Sequence, residues 1–393
     1  MKGKILFMAA FFAAFVCACG SKINPAPDPT PDPGPGPEPQ PVPEVVPVET
    51  PSFAKGADIG WASEMEAGGR KFQKKDGTQA ALLDVLKDCG INAIHLRGWV
   101  DPYKGWSGKE EVVAVAKRVT EARLALMVDF HYSDFFADPG RQQIPAAWAA
   151  DKADIAKMCQ HVKDHTTEVL QALKDNDVTV NWIQIGNETR GGMLFGCGDL
   201  VYSQKGNEFN NYIKLSNAGY EAAKAVYPDA LVMPHIDKAW DASNNNWWLS
   251  SFKNQGGRMD AIALSHYPQE SWNGKTQLTP AQANSQAVAA VKALVSTFKL
   301  SVIISEVGVK TPASEAEAKN VLESFMTELR KVNGVTGVFY WEPEVDGSWK
   351  PAVYSDKAAI QKYTGKSETW NAYGMGAFTS AGKPTSVMDV FAD

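Results

Sequence analysis

Two glutamates stand where acid and base chemistry would want them. Glu188 closes the run VNWIQIGNE and Glu306 sits in SVIISEVG. Each follows apolar residues, so each is a carboxylate that a buried element delivers at its end. Such a pair suits cleavage of a glycosidic bond: one carboxyl, protonated, donates to the leaving oxygen while the other, ionised, attacks the anomeric carbon, and a retaining pair lies about 5–5.5 Å apart. Their environments must then hold the two pKa values apart. Asn187 has an amide suited to a sugar hydroxyl next to the reacting carbon, and Tyr267 can offer its hydroxyl to the nucleophile. Arg97 is expected to hold Glu306 ionised through a charge-assisted contact.

Other polar side chains end similar runs: Asp129 with His131, His235 with Asp237, His266 with Tyr267, and Trp341 with Glu342. Capping of the following helices would call for Ser, Thr, Asp or Asn, not for Arg, His, Tyr and Trp. A two-metal hydrolase is the alternative for His131, Asp134, Asp138, His235, Asp237 and His266, but the first run, GADIGWAS, supplies only Asp58 where such sites carry a His-x-His pair. Ser265 and Cys197 lack the surroundings of a nucleophile elbow.

The elements that must position these groups are eight apolar runs, at 56–62, 91–99, 124–132, 180–188, 230–237, 261–268, 301–308 and 335–344, separated by stretches with helical spacing such as TQAALLDVLKDCG (78–90) and NSQAVAAVKALVSTFK (284–299). Strand and helix repeated eight times predict an α/β fold of the (β/α)8 TIM-barrel type. An open doubly wound sheet would normally show a glycine-rich phosphate loop after an early strand, and none is present. In a barrel the strand middles are packed on both faces and the C-terminal ends open on the ligand-binding face, which accounts for apolar runs with polar tips.

The chain starts with MKGKILFMAAFFAAFVCACGSK, in which two lysines precede an apolar run too short for a membrane span. The segment Val16-Cys17-Ala18-Cys19 resembles a lipobox with Cys19 as the lipid-carrying residue. From Asn24 to Pro51 proline recurs at every odd position between Pro25 and Pro43, which predicts an extended stalk. The expected organisation is a lipoprotein signal (1–19), a stalk (20–51) and one catalytic domain (52–393), anchored at the cell envelope. Cys89, Cys159 and Cys197 remain in the domain, without metal spacing and with no disulfide expected. A net charge of −6, from 39 basic and 45 acidic residues without long runs, argues against nucleic acid and against membrane contact other than through a lipid. A monomer is expected.

The blocks LRGWVDP (96–102), DFHYSDFFADPGRQQIPAAW (129–148), IGNETRGGMLF (185–195), HID (235–237), SHYP (265–268), SEVG (305–308) and YWEP (340–343), in this order, resemble glycoside hydrolase family 53, the endo-β-1,4-galactanases, from about Phe53 to the C-terminus. The resemblance implies a retaining endo-hydrolase of the galactan side chains of pectin. It implies Glu188 as acid/base, Glu306 as nucleophile, and a sugar site shaped by Arg97, His131, Asn187, Tyr267 and Trp341; Asp134, His235, Asp237 and His266 are further candidate sugar contacts. Phe136, Phe195 and Val345 fall where the family commonly carries tryptophan, and His266 where an aromatic residue is more usual, which puts the outer sugar subsites in question. Some bacterial members hold calcium in an Asp/Gly-rich loop after the seventh strand. The loop VGVKTPASEAEAKN lacks that pattern, so no metal or cofactor is expected. The remaining alternatives are a mannan or glucan endo-hydrolase of the same clan and a glycan-binding lipoprotein without activity.

Overall fold

In the computed structural model, which describes residues 47–203, 206–310, 314–370 and 372–392, each of the eight apolar runs contains a strand and the strands run parallel. They are β1 (Ala54–Asp58), β2 (Ala93–Gly98), β3 (Ala125–Phe130), β4 (Trp182–Ile185), β5 (Leu231–Met233, resumed at His235–Ile236), β6 (Ala261–His266), β7 (Ser301–Val307) and β8 (Val335–Tyr340). Each is followed by a helix: α1 (Leu82–Asp88), α2 (Lys109–Glu121), α3 (Ile155–Lys174), α4 (Asn210–Val226), α5 (Ala242–Asn254), α6 (Pro280–Phe298), α7 (Glu315–Leu329) and α8 (Lys357–Thr364). The signal, Cys19 and the stalk as far as residue 46 lie outside the described residues.

Consecutive strands pair, and β1 pairs with β8 to close the ring. Strand β5 is the exception that makes closure work. Its first piece pairs with β4 and its second with β6. Pro234 separates the two, since proline has no N–H for a ladder, while its carbonyl still accepts from Ala263 N at 3.2 Å. The ring is a (β/α)8 barrel with one interrupted stave.

Alternation along the strands divides the core. Ala93, Ala125, Met127, Trp182, Met233, Ala263, Ile303 and Phe339 fill the interior, and Val48 packs with them. Their neighbours Ile94, Leu126, Val128, Ile183, Ile262 and Val338 belong to the second, larger cluster shared with the helices. Small residues make room for large ones: a Cβ on Gly56 of β1 would lie 2.0 Å from the Phe339 ring. Helix starts carry conventional signals, including Asp154 accepting from Ala156 N and Lys157 N before α3, and a Thr279/Gln282 capping box with Pro280 at the start of α6.

Above the apolar layers the interior turns polar. Register puts His95 beside Asp58 and Arg97 beside Asp129. In β7 the ladder shifts: Leu264 pairs with Ile304, but Ser265 pairs with Glu306, so Ser305 is an extra residue. With Ile303 facing inward, strict alternation would turn Ser305 in and Glu306 out. The bulge reverses this and aims Glu306 into the barrel.

Candidate active site

Strand β4 stops at Gly186, whose φ of 84° needs a residue without a Cβ, and the chain then turns through Asn187 into Glu188, itself left-handed at φ 48°. A non-glycine residue in this region carries strain, and the loop is held on three sides. Thr189 Oγ1 lies 2.7 Å from Tyr212 Oη and donates to the His235 carbonyl at 3.1 Å. Arg190 pairs with Asp237 and donates to Asn245 Oδ1 at 2.7 Å, and Trp248 Nε1 donates to the Arg190 carbonyl at 3.0 Å.

A cavity of about 400 Å³ opens at the strand ends. Glu188 and Glu306 both line it, together with Arg97, His131, Asn187, Tyr267 and Trp341. Each of the two carboxylates is less than a tenth exposed. Tyr267 Oη donates to Glu306 Oε2 at 2.6 Å, and Ser265 Oγ lies 3.4 Å from the same oxygen. Trp341 is half-buried and meets Tyr373 at 4.4 Å and Tyr267 at 6.1 Å, ring centre to ring centre, so its indole forms a wall for a flat apolar sugar face.

His235 organises the floor. Asn187 Nδ2 donates to the Ala137 carbonyl at 2.8 Å, which leaves Oδ1 to accept from His235 Nδ1 at 2.8 Å. Burial pushes the His235 pKa down to about 3, so the ring is neutral and Nε2 accepts from Ser265 Oγ at 2.7 Å. One imidazole thus fixes the neighbours of both carboxylates.

Burial raises both carboxyl pKa values, but not alike. The Glu188 carboxyl is raised further by the negative charge of Glu306. Against burial, the Tyr267 hydrogen bond and then the charge of His95 hold Glu306 down. His95 is buried, yet the carboxylates of Asp129 and Asp58, 3.7 and 3.2 Å from its ring nitrogens, raise its pKa above the ordinary value. The arrangement makes Glu188 the proton donor of the pair and Glu306 the one that ionises first.

Arg97 does not serve Glu306. It donates to Glu342 Oε1 at 2.5 Å, sits 3.6 Å from Asp58, and is stacked among Trp61, Trp99 and Phe136 at 4.3, 5.0 and 4.8 Å. Gly60 permits this, because a Cβ there would lie 2.4 Å from the guanidinium carbon. The charge that opposes burial at Glu306 comes instead from His95, which the same alternation in AIHLRG places on the face of Arg97.

Four further expected sugar contacts stand elsewhere. His266 points outward, where its Nε2 meets Asn284 Oδ1 of α6 at 2.8 Å, because Ser265 and Tyr267 take the inward positions around it. Asp134 ties two loops by accepting from Asp101 N at 3.0 Å and Ala146 N at 2.9 Å. Asp237 is the anchor of Arg190. His235 acts from beneath and does not line the cavity. Phe136 lines it, Phe195 lines a neighbouring cavity, and Val345 is buried. Alternation did not reach Asp58, Tyr354, Glu368, Trp370 and Tyr373, which also line the cavity; all but Asp58 come from the irregular chain after β8.

Among the described residues one group could gather a cation: Asp129, His235 and Glu306 bring a ligand atom each within 4.8 Å. Both ring nitrogens of His235 are already committed, Nδ1 to Asn187 and Nε2 to Ser265, and we place no metal there.

Residues 54–391 match the family model described as Glycosyl hydrolase family 53. Among curated proteins, an uncharacterised protein of Niallia circulans is 36% identical over 225 residues, covering 57% of this chain and 60% of that protein. The "Probable arabinogalactan endo-beta-1,4-galactanase A" of Neosartorya fischeri is 29% identical over 315 residues, covering 74% of this chain and 83% of its own. Among solved structures, a fungal β-1,4-galactanase aligns with a TM-score of 0.68 at 24% identity, over 86% of this chain and 98% of that one, a likeness of fold.

Proposed function

The chain belongs to glycosyl hydrolase family 53, and from that premise we propose that it is an endo-β-1,4-galactanase that cuts the galactan of pectic arabinogalactan with retention at the anomeric carbon. It is a glycoside hydrolase; the observation that carries the mechanism is the inequality of two buried carboxyls in one cavity. Glu306, kept ionised by Tyr267 and His95, attacks the anomeric carbon, and Glu188 gives its proton to the departing glycosidic oxygen. Glu188, now a carboxylate, takes a proton from water, which displaces Glu306 from the glycosyl ester on the face the leaving group left. Asn187, with its amide held by Ala137 and His235, presents a polar edge to the sugar at the reacting centre. The names of relatives such as the Neosartorya fischeri protein support galactan as substrate.

We further propose that the enzyme acts as a monomer tethered to the cell envelope through Cys19 and the proline stalk, on the support of the sequence there.

The test is reducing-sugar release from linear β-1,4-galactan, mannan and carboxymethylcellulose by the purified protein, with the first-formed anomer followed by proton NMR. Galactan cleavage with the β anomer appearing first is expected. Cleavage of mannan or cellulose in its place would overturn the substrate, and an α product would overturn the mechanism.

A further inference from the structure

The two rims of the cavity are both ion pairs, and they differ. On one side Lys310 and Glu270 meet at 2.7 Å with 40% and 47% of their side chains exposed. On the other Arg141, from the loop after β3, pairs with Glu368, from the chain after α8, at 17% and 18% exposure. An exposed pair in high dielectric holds little and yields to a passing chain. A pair withdrawn from water is expensive to break, because the separated charges stay partly buried.

Behind the second pair lies another cavity, of about 450 Å³. Arg141 lines both. The two segments cross from one space to the other at this point: Ala137 and Asp138 face the catalytic cavity while Gln142 and Gln143 face the second, and Glu368 faces the catalytic cavity while Lys366, which also reaches Glu368 at 3.2 Å, faces the second. The second cavity has the makings of a sugar site: Phe195 lines it together with Tyr363, Gln143 and Lys362, which carry hydroxyl, amide and ammonium groups.

We infer that the Arg141–Glu368 pair is a wall that ends the catalytic cavity on this side and fixes how many sugar units it holds there, with the second cavity as a further hexose site that a chain reaches only when the wall is opened. The inference rests on the proposed hydrolysis of a linear β-1,4-glycan. It makes Arg141 and Glu368 specificity-determining residues, outside the chemistry at Glu188 and Glu306.

The experiment measures kcat/KM for reduced β-1,4-galacto-oligosaccharides of increasing length with the full-length protein, Arg141→Ala, Glu368→Ala and the charge-exchanged double variant R141E/E368R. For the unsubstituted protein the values level off at a definite length. For each alanine variant they rise for at least one unit more, by roughly fivefold, the worth of one net hydrogen bond, and longer products accumulate from polymer. The double variant restores the wall and the original plateau. Alanine variants that lose activity equally at every length, or keep the original plateau, overturn the wall. If galactan is not cleaved at all, the substrate proposal fails, and the same length series on the glycan that is cleaved tests the wall unchanged.

Discussion

Tyr267 donates a 2.6 Å hydrogen bond from its phenol to the carboxylate oxygen Oε2 of Glu306. Because this bond favours the ionised carboxylate, it sets the pH at which the nucleophile is ready. In Tyr267→Phe the Glu306 pKa rises, since burial is then opposed by less. The acidic limb of kcat/KM against pH is therefore expected to move to higher pH, with the alkaline limb, which belongs to Glu188, little changed. A shift of the acidic limb to lower pH would contradict the assignment.

The roles of the two carboxyls separate in azide rescue. Glu306→Ala is expected to lose activity by about 10³-fold or more, and azide then yields a glycosyl azide of inverted configuration. Glu188→Ala loses about 10²–10⁴-fold on polymer, keeps most of its rate for the first step on an aryl glycoside whose leaving group needs no proton, and gives an azide of retained configuration. Mass spectrometry and NMR of the azides decide between them, and exchanged configurations would exchange the roles.

Stability should carry the cost of the site. The folded-state pKa of Glu188 is raised from the ordinary 4.5, so the folded state binds this proton more tightly than the unfolded chain. Stability from that proton is complete below about pH 4.5, falls as pH rises above it, and is gone above the folded-state pKa. Glu188→Gln has no such loss. Its melting temperature is expected to exceed that of the parent by about 2 °C or more at pH 8 and to approach it at pH 4, as read by calorimetry. A constant difference at both pH values would show that the carboxyl is not strained by burial.

Arg97 depends on Glu342 as its closest charged partner, with Asp58 at 3.6 Å as the weaker one. Glu342→Ala leaves a guanidinium that is 1% exposed short of its main counter-charge, at a cost of about 3–5 kcal/mol. Urea denaturation measures this directly, and a loss under about 1 kcal/mol would mean that the three stacked rings and Asp58 suffice for the cation.

Much of the barrel could be read from pattern alone, because buried parallel strands are continuous apolar runs and few other elements look like them. GNE and SEVG announced their carboxylates by ending such runs. The errors came from neglecting the two-residue period within a run. Counting from inward-facing Ala263 puts Ser265 and Tyr267 inside and His266 outside, and the same count on β2 pairs His95 with Arg97. Asp134 and Asp237 were legible as polar residues near strand ends but not as anchors, since a carboxylate that accepts from backbone N–H groups or from an arginine looks no different in sequence from one that meets a sugar. Tyr354, Glu368, Trp370 and Tyr373 lay beyond reach for another reason: the chain after β8 has no period, and its placement follows from contacts such as Arg141 with Glu368 and Trp370 with Trp349 that join distant segments.

The extra residue at Ser305 makes the position of the nucleophile a matter of count. Removing one residue there would leave β7 in plain alternation with Glu306 still inward, whereas straightening the ladder with Ser305 retained would send Glu306 among the outer helices. The direction of the nucleophile thus depends on the bulge holding Ser305 out of the ladder, so a change that irons the strand flat without shortening it would turn the carboxylate away. An alignment with a gap at this point would therefore pair two strands that both present the carboxylate inward, one by a bulge and one by plain alternation.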